Sequence, residues 1–399
     1  MTRTDPTTAS DRPQEAPARW GAVLAMTVCA FALIASEFLP VSLLTPIADD
    51  LGVTEGMAGQ GIAISGAFAV VTSLTIGSLT GRMDRKAVLL ALTVVMAVSG
   101  ALLALAPNYA VYLLGRALIG VVVGGFWSLS AATAMRLVPE RLVPRALAIL
   151  NGGNALASVL AAPLGSWLGS LVGWRGAFLC LVPIAAVALV WQWLSLPSLA
   201  APARSARPRE VLGLLRRRPI ALGMAAAGVF FLGQFTAFTY VRPFLETVPR
   251  ADAPTVSIVL LAVGAAGLVG TALIGRFLER SLFRTIVVIP ALLAAVALAL
   301  LPLGPSLLAV FVLLGLWGLL ATAAPVGWWT WVARALPRDA EAGGGLMVAI
   351  IQLCIALGST FGGALYDAAG HVGTFAASAG VLLLAAVLAA VAGRVSQRG

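Results

Sequence analysis

The sequence predicts an all-α membrane protein with twelve transmembrane helices in two six-helix, pseudo-symmetric halves. Three observations predict it. Of 399 residues, 60% are hydrophobic and 11% charged, with a mean hydropathy of +1.00, where a soluble chain carries about a quarter charged residues. The apolar residues form continuous runs instead of alternating, which excludes a membrane barrel and leaves helices that satisfy their own backbone in lipid. Basic residues fall at the ends of these runs, as topology signals do.

The runs place spans at 20–44, 56–80, 87–106, 110–135, 146–170, 177–196, 220–243, 255–278, 285–303, 306–333, 343–366 and 372–393. Loops between them are short except 197–219, rich in Pro, Ala and Arg and ending in Arg216-Arg217-Arg218-Pro219. That segment reads as a cytoplasmic linker between bundles at 20–196 and 220–393, its arginines anchored at the lipid headgroups. Residues 1–19, rich in Thr, Pro and Ala, read as a disordered cytoplasmic tail, and 394–399 as a second short tail. The first run is too long for a cleavable signal.

Orientation follows from charge. With the N-terminus inside, cytoplasmic segments hold 22 of the 26 Lys and Arg residues. The opposite side holds Arg175, Arg242 and Arg250, and Arg116 lies deep inside a span. This asymmetry places both termini in the cytoplasm. The halves also echo each other. Gly77–Arg82 matches Gly275–Arg280, and Arg136-Leu137-Val138-Pro139 matches Arg334-Ala335-Leu336-Pro337, both at an offset of 198. A duplicated six-helix unit is the layout of transporters that bind substrate between halves.

Several functions are excluded or disfavoured. Lys86 is the only lysine, so no Walker-type phosphate loop exists and any active transport must run on an ion gradient or on a separate subunit. No nucleophile–base–acid set falls among the spans, so the chain is not read as an enzyme. Cys29, Cys180 and Cys354 all fall in apolar runs and read as small buried residues. His371 has no cluster of ligands around it, so no metal and no cofactor are expected. The net charge of +10 is spread over loop ends and forms no nucleic-acid patch.

The first span carries the chemistry. Glu37 lies inside the run from Trp20 to Leu44, and Pro40 follows three residues later. A carboxylate at that depth is costly and marks a functional site. Arg116 lies in span four; by helix rise it sits roughly 9 Å from the outer end of its span, against roughly 10 Å for Glu37. Equal depth makes a Glu37–Arg116 pair feasible, and burial and a guanidinium pull the proton affinity of Glu37 in opposite directions. A static ion pair that only fixes packing is the plainer alternative.

Aromatic and amide residues cluster at similar depth: Trp127 in span four, Asn154 in span five, Gln234, Phe235 and Tyr240 in span seven, Trp328 and Trp329 in span ten, and Gln352 in span eleven. Such residues suit a flat, uncharged heteroaromatic ligand that stacks and hydrogen-bonds, though each also serves in plain helix packing. Trp331, beside Arg334, reads as an interfacial anchor. Gly165, Gly169 and Gly173, four apart, read as a close-packing stripe.

Gly77-Ser78-Leu79-Thr80-Gly81-Arg82-Met83-Asp84-Arg85-Lys86 resembles the loop motif of the major facilitator superfamily, and Arg116 with Gly120 resembles its span-four motif. In this loop Gly77, Arg82 and Arg85 match, but the usual acidic position is Gly81. Asp84 either takes over the missing acid or belongs to a basic topology loop. Beyond the superfamily, the chain resembles the purine ribonucleoside efflux pumps of the drug/H+ antiporter group. Glu37–Pro46, Gly124-Gly125-Phe126-Trp127, Met135–Pro139, Gly233-Gln234-Phe235, Phe238–Pro243 and Pro325–Trp328 carry that likeness. The resemblance implies a major facilitator fold in a bacterial inner membrane, with a cavity between halves. It also implies proton-driven export of inosine- and guanosine-like nucleosides by a monomer that contacts only substrate, protons and lipid. Glu37 is then the proton carrier, with the C-terminal half contributing ligand contacts, because its pseudo-repeat position is the uncharged Tyr240. Sugar or multidrug efflux is the rival within the class, and a non-transporting membrane receptor or scaffold the rival outside it.

Overall fold

A computed structural model describes residues 18–139, 142–200, 208–336 and 340–396. The predicted tails over 1–17 and 397–399, linker residues 201–207 and Pro337 lie outside the described residues. Among these, the chain folds as α1 (Trp20–Leu51), α2 (Glu55–Leu79), α3 (Arg85–Ala104), α4 (Tyr109–Arg136), α5 (Val143–Leu179), α6 (Leu181–Ser195) and α7 (Pro208–Gly213), then α8 (Arg218–Phe238), α9 (Val241–Thr247), α10 (Ala253–Arg280), α11 (Leu282–Leu303), α12 (Leu307–Ala335) and α13 (Ala340–Ser396). Ten helical stretches are long and apolar enough to cross a membrane.

Two of those stretches, Arg145–Ser195 and Ala342–Val395, hold 51 and 54 residues, over twice the ~20 that one crossing needs. Each contains one glycine with non-helical backbone: Gly173 at φ 73°, ψ 167° in α5 and Gly370 at φ 60°, ψ −158° in α13. Only glycine reaches those angles without a steric penalty. Gly173 is therefore a reversal point, not the third member of a packing stripe. Gly165 and Gly169 do pack closely: a Cβ on them would meet Ser42 and Leu43 of α1 at 2.4 Å.

Proline explains another departure. The span predicted over 220–243 divides into α8 and α9, with Thr239 and Tyr240 between them. Pro243 has no N–H for the Thr239 carbonyl and its ring crowds the preceding turn, so the helix breaks there. α1 instead outruns its apolar run, carrying Asp49 and Asp50 to a left-handed stop at Gly52, φ 63°.

We call the end at which α1 begins the near end and the opposite one the far end. Four helices that start at the far end, α2, α4, α10 and α12, are capped by their loop residue. Thr54, Asn108, Asp252 and Ser306 accept from the N–H groups of Met57, Val111, Thr255 and Ala309.

The interior holds two main apolar cores, one built from residues between Ala22 and Leu199 and the other from residues between Val211 and Ala389 together with Val41 and Ile62. α2 packs against the first part of α13 and α5 against α10, which joins the two groups of helices. Large apolar side chains such as Leu105, Leu194 and Leu308 are exposed on the outer surface, as a lipid-facing wall requires. Cys180 lies on that surface; of the three thiols only Cys29 is fully buried. Trp331 is not a boundary anchor either. It is 2% exposed and fills the space beside Gly223, where a Cβ would stand 1.9 Å from its ring.

Candidate functional site

The site begins with two prolines in α1. Pro40 and Pro46 lack the N–H that would bond the carbonyls of Ser36 and Ser42, four residues earlier. A carbonyl left unpaired at that depth is costly. Each is taken by an arginine. Arg116 of α4 donates from Nη1 to Ser36 O at 2.8 Å, and Arg242 of α9 donates from Nη1 to Ser42 O.

Arg116 is fully buried and also donates to Gly61 O at 3.0 Å and to Glu37 O at 3.3 Å. It therefore ties α4 to both α1 and α2. The expected Glu37–Arg116 carboxylate pair is not what forms. The guanidinium is spent on backbone carbonyls, because Pro40 leaves one free a single residue before Glu37. The carboxylate reaches the other way, and its Oε1 accepts from Gln352 Nε2 of α13 at 3.0 Å. Glu37 is half-buried and Gln352 6% exposed.

Of the other predicted residues, Phe235 comes into contact with the segment of α1 that carries Glu37. The Phe235 ring stands 6.3 Å from that of Phe38, the neighbour of Glu37. Gln234 is half-buried, and its Oε1 has no partner. Trp127 is half-buried and meets Phe126 edge to face at 5.7 Å; Asn154 is half-buried in α5. Three residues depart from this group. Trp328 is 1% exposed, packed on Phe230 and Trp331 inside the second core. Trp329 is 42% exposed. Tyr240 is fully buried at the far end, donating to Ser359 O at 2.8 Å and stacking on Tyr366 at 5.3 Å. Its hydroxyl occupies the space beside Gly59 of α2 and Gly363 of α13, so it packs the joint between helices.

The predicted conformational loop sits at the near end. Asp84 caps α3 through Lys86 N at 2.7 Å and also accepts from the Ser198 hydroxyl and from Leu199 N at 3.1 Å. These donors, the Ser198 hydroxyl foremost, hold its carboxyl below the usual carboxylate range. Arg85 donates to Thr80 Oγ1 at 2.9 Å while its N–H meets Leu199 O at 3.0 Å. Arg136 donates to Ala200 O at 2.8 Å. The loop thus holds the start of the linker; Gly77 lies at the end of α2 and Arg82 is exposed.

At the far end lie residues that sequence reading missed. Asp367 of α13 accepts from Thr54 Oγ1 at 2.7 Å and from Gly56 N at 3.0 Å, in the first turn of α2, where the helix dipole favours a carboxylate. Arg242, counted among the charges of the opposite side, is 5% exposed and bonds Glu246 Oε1 at 2.8 Å as well as Ser42 O. The signal for Arg242 was present in Pro46, which frees the Ser42 carbonyl; nothing in the sequence names the donor. Among the described residues, every hydrogen bond joining the helices before residue 196 to those after 218 lies at or beyond the level of Glu37–Gln352, toward the far end.

Both far-end latches run from a charged side chain to uncharged groups, so charge reversal cannot restore them. Arg242→Ala and Asp367→Ala are each expected to lengthen the distance between spin labels at positions 53 and 368, measured by pulsed electron resonance. Unchanged distances in both variants would mean that the packing around Tyr240 alone keeps this end closed.

Comparison with known proteins follows this geometry. Residues 26–354 match the Major Facilitator Superfamily. The chain is 64% identical over 390 residues, 97% of each protein, to a Pseudomonas aeruginosa protein named transcription regulatory protein OpdE. It is 39% identical over 377 residues to the purine ribonucleoside efflux pump NepI of Salmonella paratyphi B, covering 94% of this chain and 95% of that one. Among solved structures it is similar to a bacterial homolog of the human lysosomal transporter Spinster in an inward-facing, unoccupied conformation, with a TM-score of 0.75 and 17% identity over 94% of this chain and 95% of that one. It is also similar to the nucleoside transporter NupG, with a TM-score of 0.74 and 13% identity over 94% and 99% of the two chains. These two likenesses concern the fold.

Proposed function

The chain belongs to the Major Facilitator Superfamily, and from that premise we propose that it exports purine ribonucleosides such as inosine and guanosine in exchange for protons. As a multi-pass membrane protein of this family it is a transporter in type, not an enzyme. The observation that carries the finer reading is a half-buried carboxylate, Glu37, in the middle of α1 and bonded across to α13. It stands in a chain 39% identical over nearly its whole length to pumps so named.

The reading has a definite architecture. Division of the two longest stretches at Gly173 and Gly370 turns ten into twelve crossings. They form halves at 20–196 and 220–393, joined by the linker 197–219, and the two apolar cores support that division. In a bacterial inner membrane, the distribution of Lys and Arg puts the near end and both termini in the cytoplasm. In that orientation the described arrangement is sealed outside, as an exporter loading from the cytoplasm requires.

Glu37 carries the proton and Arg116 positions it through the α1 backbone. Trp127, Asn154, Gln234, Phe235 and Gln352 are the proposed ligand contacts, while Tyr240, Trp328 and Trp329 are left out of the cavity. The loop of Gly77, Arg82, Asp84 and Arg85 governs the near end. The protein works as a monomer without a cofactor. Purified protein in liposomes is expected to accumulate labelled inosine against its gradient when a pH difference is imposed, and arabinose or drugs poorly. Arabinose or drug flux without nucleoside flux would replace this substrate class.

The name of the 64% identical relative favours a second reading, a membrane protein that acts on gene expression. A flux-dead variant that still changes transcription in the host would support that reading over export.

A further inference from the structure

Glu37 and Gln352 meet through a single hydrogen bond, and its chemistry fixes which atoms remain free. A carboxylate only accepts, so the amide nitrogen of Gln352 must face it. The second amide N–H of Gln352, its Oε1 and Glu37 Oε2 have no protein partner among the described residues. Glu37 is half-buried, so the pair offers a ligand the free N–H and Oε1 of Gln352 together with Glu37 Oε2.

Resting on the nucleoside-export reading, we propose that Glu37 and Gln352 recognise the N1–C6 edge of a 6-oxopurine. The ring N1–H donates to Glu37 Oε2 while O6 accepts from the free N–H of Gln352. A 2-amino group, where present, adds a second donor on the carboxylate side. Adenine carries the opposite pattern, an acceptor at N1 and an amino group at C6, and in the same orientation of the ring it sets a lone pair against the carboxylate. Two further features of the same region fit a purine. Phe38, next to Glu37, and Phe235 offer aromatic surface, their centroids 6.3 Å apart. The buried, unpartnered Oε1 of Gln234 supplies a further acceptor for a ligand hydroxyl. Gln352 thus becomes a specificity-determining residue.

The test uses the full-length protein in liposomes at one symmetric pH, with exchange of labelled inosine as the readout. Unlabelled 1-methylinosine and adenosine are expected to compete about ten-fold or more weakly than inosine, since each leaves a buried polar group unpaired. 7-Deazainosine, which keeps the N1–C6 edge, is expected to compete within about two-fold of inosine. In Gln352→Leu the preference for inosine over adenosine is expected to fall by about ten-fold. That preference is a ratio within one variant, so partial loss of folded protein cancels. Equal competition by 1-methylinosine and inosine would overturn the edge assignment and leave nucleoside export standing. Absence of saturable inosine exchange in the unmodified protein would overturn both.

Discussion

Glu37→Gln is expected to abolish pH-driven accumulation of nucleoside while leaving a weaker but measurable exchange of internal for external nucleoside, since an amide nitrogen in place of Oε2 no longer accepts from the ligand N1–H. The amide replaces the carboxylate at nearly the same size and still accepts from Gln352 Nε2, which lies 3.0 Å from Glu37 Oε1. It cannot take up or release a proton, so substrate and proton gradients become uncoupled. A pH difference of one unit, exchanged one for one, sustains roughly a ten-fold nucleoside ratio across the membrane. In the variant that ratio should fall to about one. Accumulation at the level of the unmodified protein would discard Glu37 as the proton carrier.

Removal of the Arg116 guanidinium is expected to have the largest effect on stability. Arg116→Ala strips donors from Ser36 O, Glu37 O and Gly61 O at a fully buried position. Three charge-assisted bonds at membrane depth suggest a loss of about 2–4 kcal/mol, read as a lowered unfolding midpoint in detergent. The loss should shrink by about 1 kcal/mol in a Pro40→Ala background. There the alanine N–H can occupy the Ser36 carbonyl, so the arginine has less to satisfy. An equal loss in both backgrounds would mean that Arg116 stabilises the bundle by packing, independently of the proline.

The family resemblance and the site were legible to different degrees. Glu37, Arg116 and Gln352 stand out as polar groups in apolar runs, and the structure brings all three into one region. The partners could not be read. Depth along two helices says that Glu37 and Arg116 can meet, but not that a proline-freed carbonyl next to Glu37 takes the guanidinium first. Tyr240 and Trp328 carry the same aromatic cue as Trp127 and Phe235, yet they are packed into joints between helices. An aromatic residue in a span has a lipid side, a core side and a cleft side, and periodicity alone does not choose among them. Asp367 is just as opaque, because a carboxylate at a helix end gives no sign of which other helix's N-terminus it will cap.

What the sequence determined by itself is set by the solvent. Long apolar runs in a chain with 11% charged residues must be membrane helices, because only a helix or a closed barrel satisfies its backbone in lipid. Glycine and proline added local detail, since Gly173 and Gly370 can take angles closed to other residues and Pro40 and Pro46 withhold N–H groups at known carbonyls. The tertiary structure alone decided where those carbonyls, the Glu37 carboxylate and the Asp367 carboxylate found their partners. Each partner comes from a helix distant in sequence, and helix packing, not spacing along the chain, brings donor and acceptor within hydrogen-bond reach.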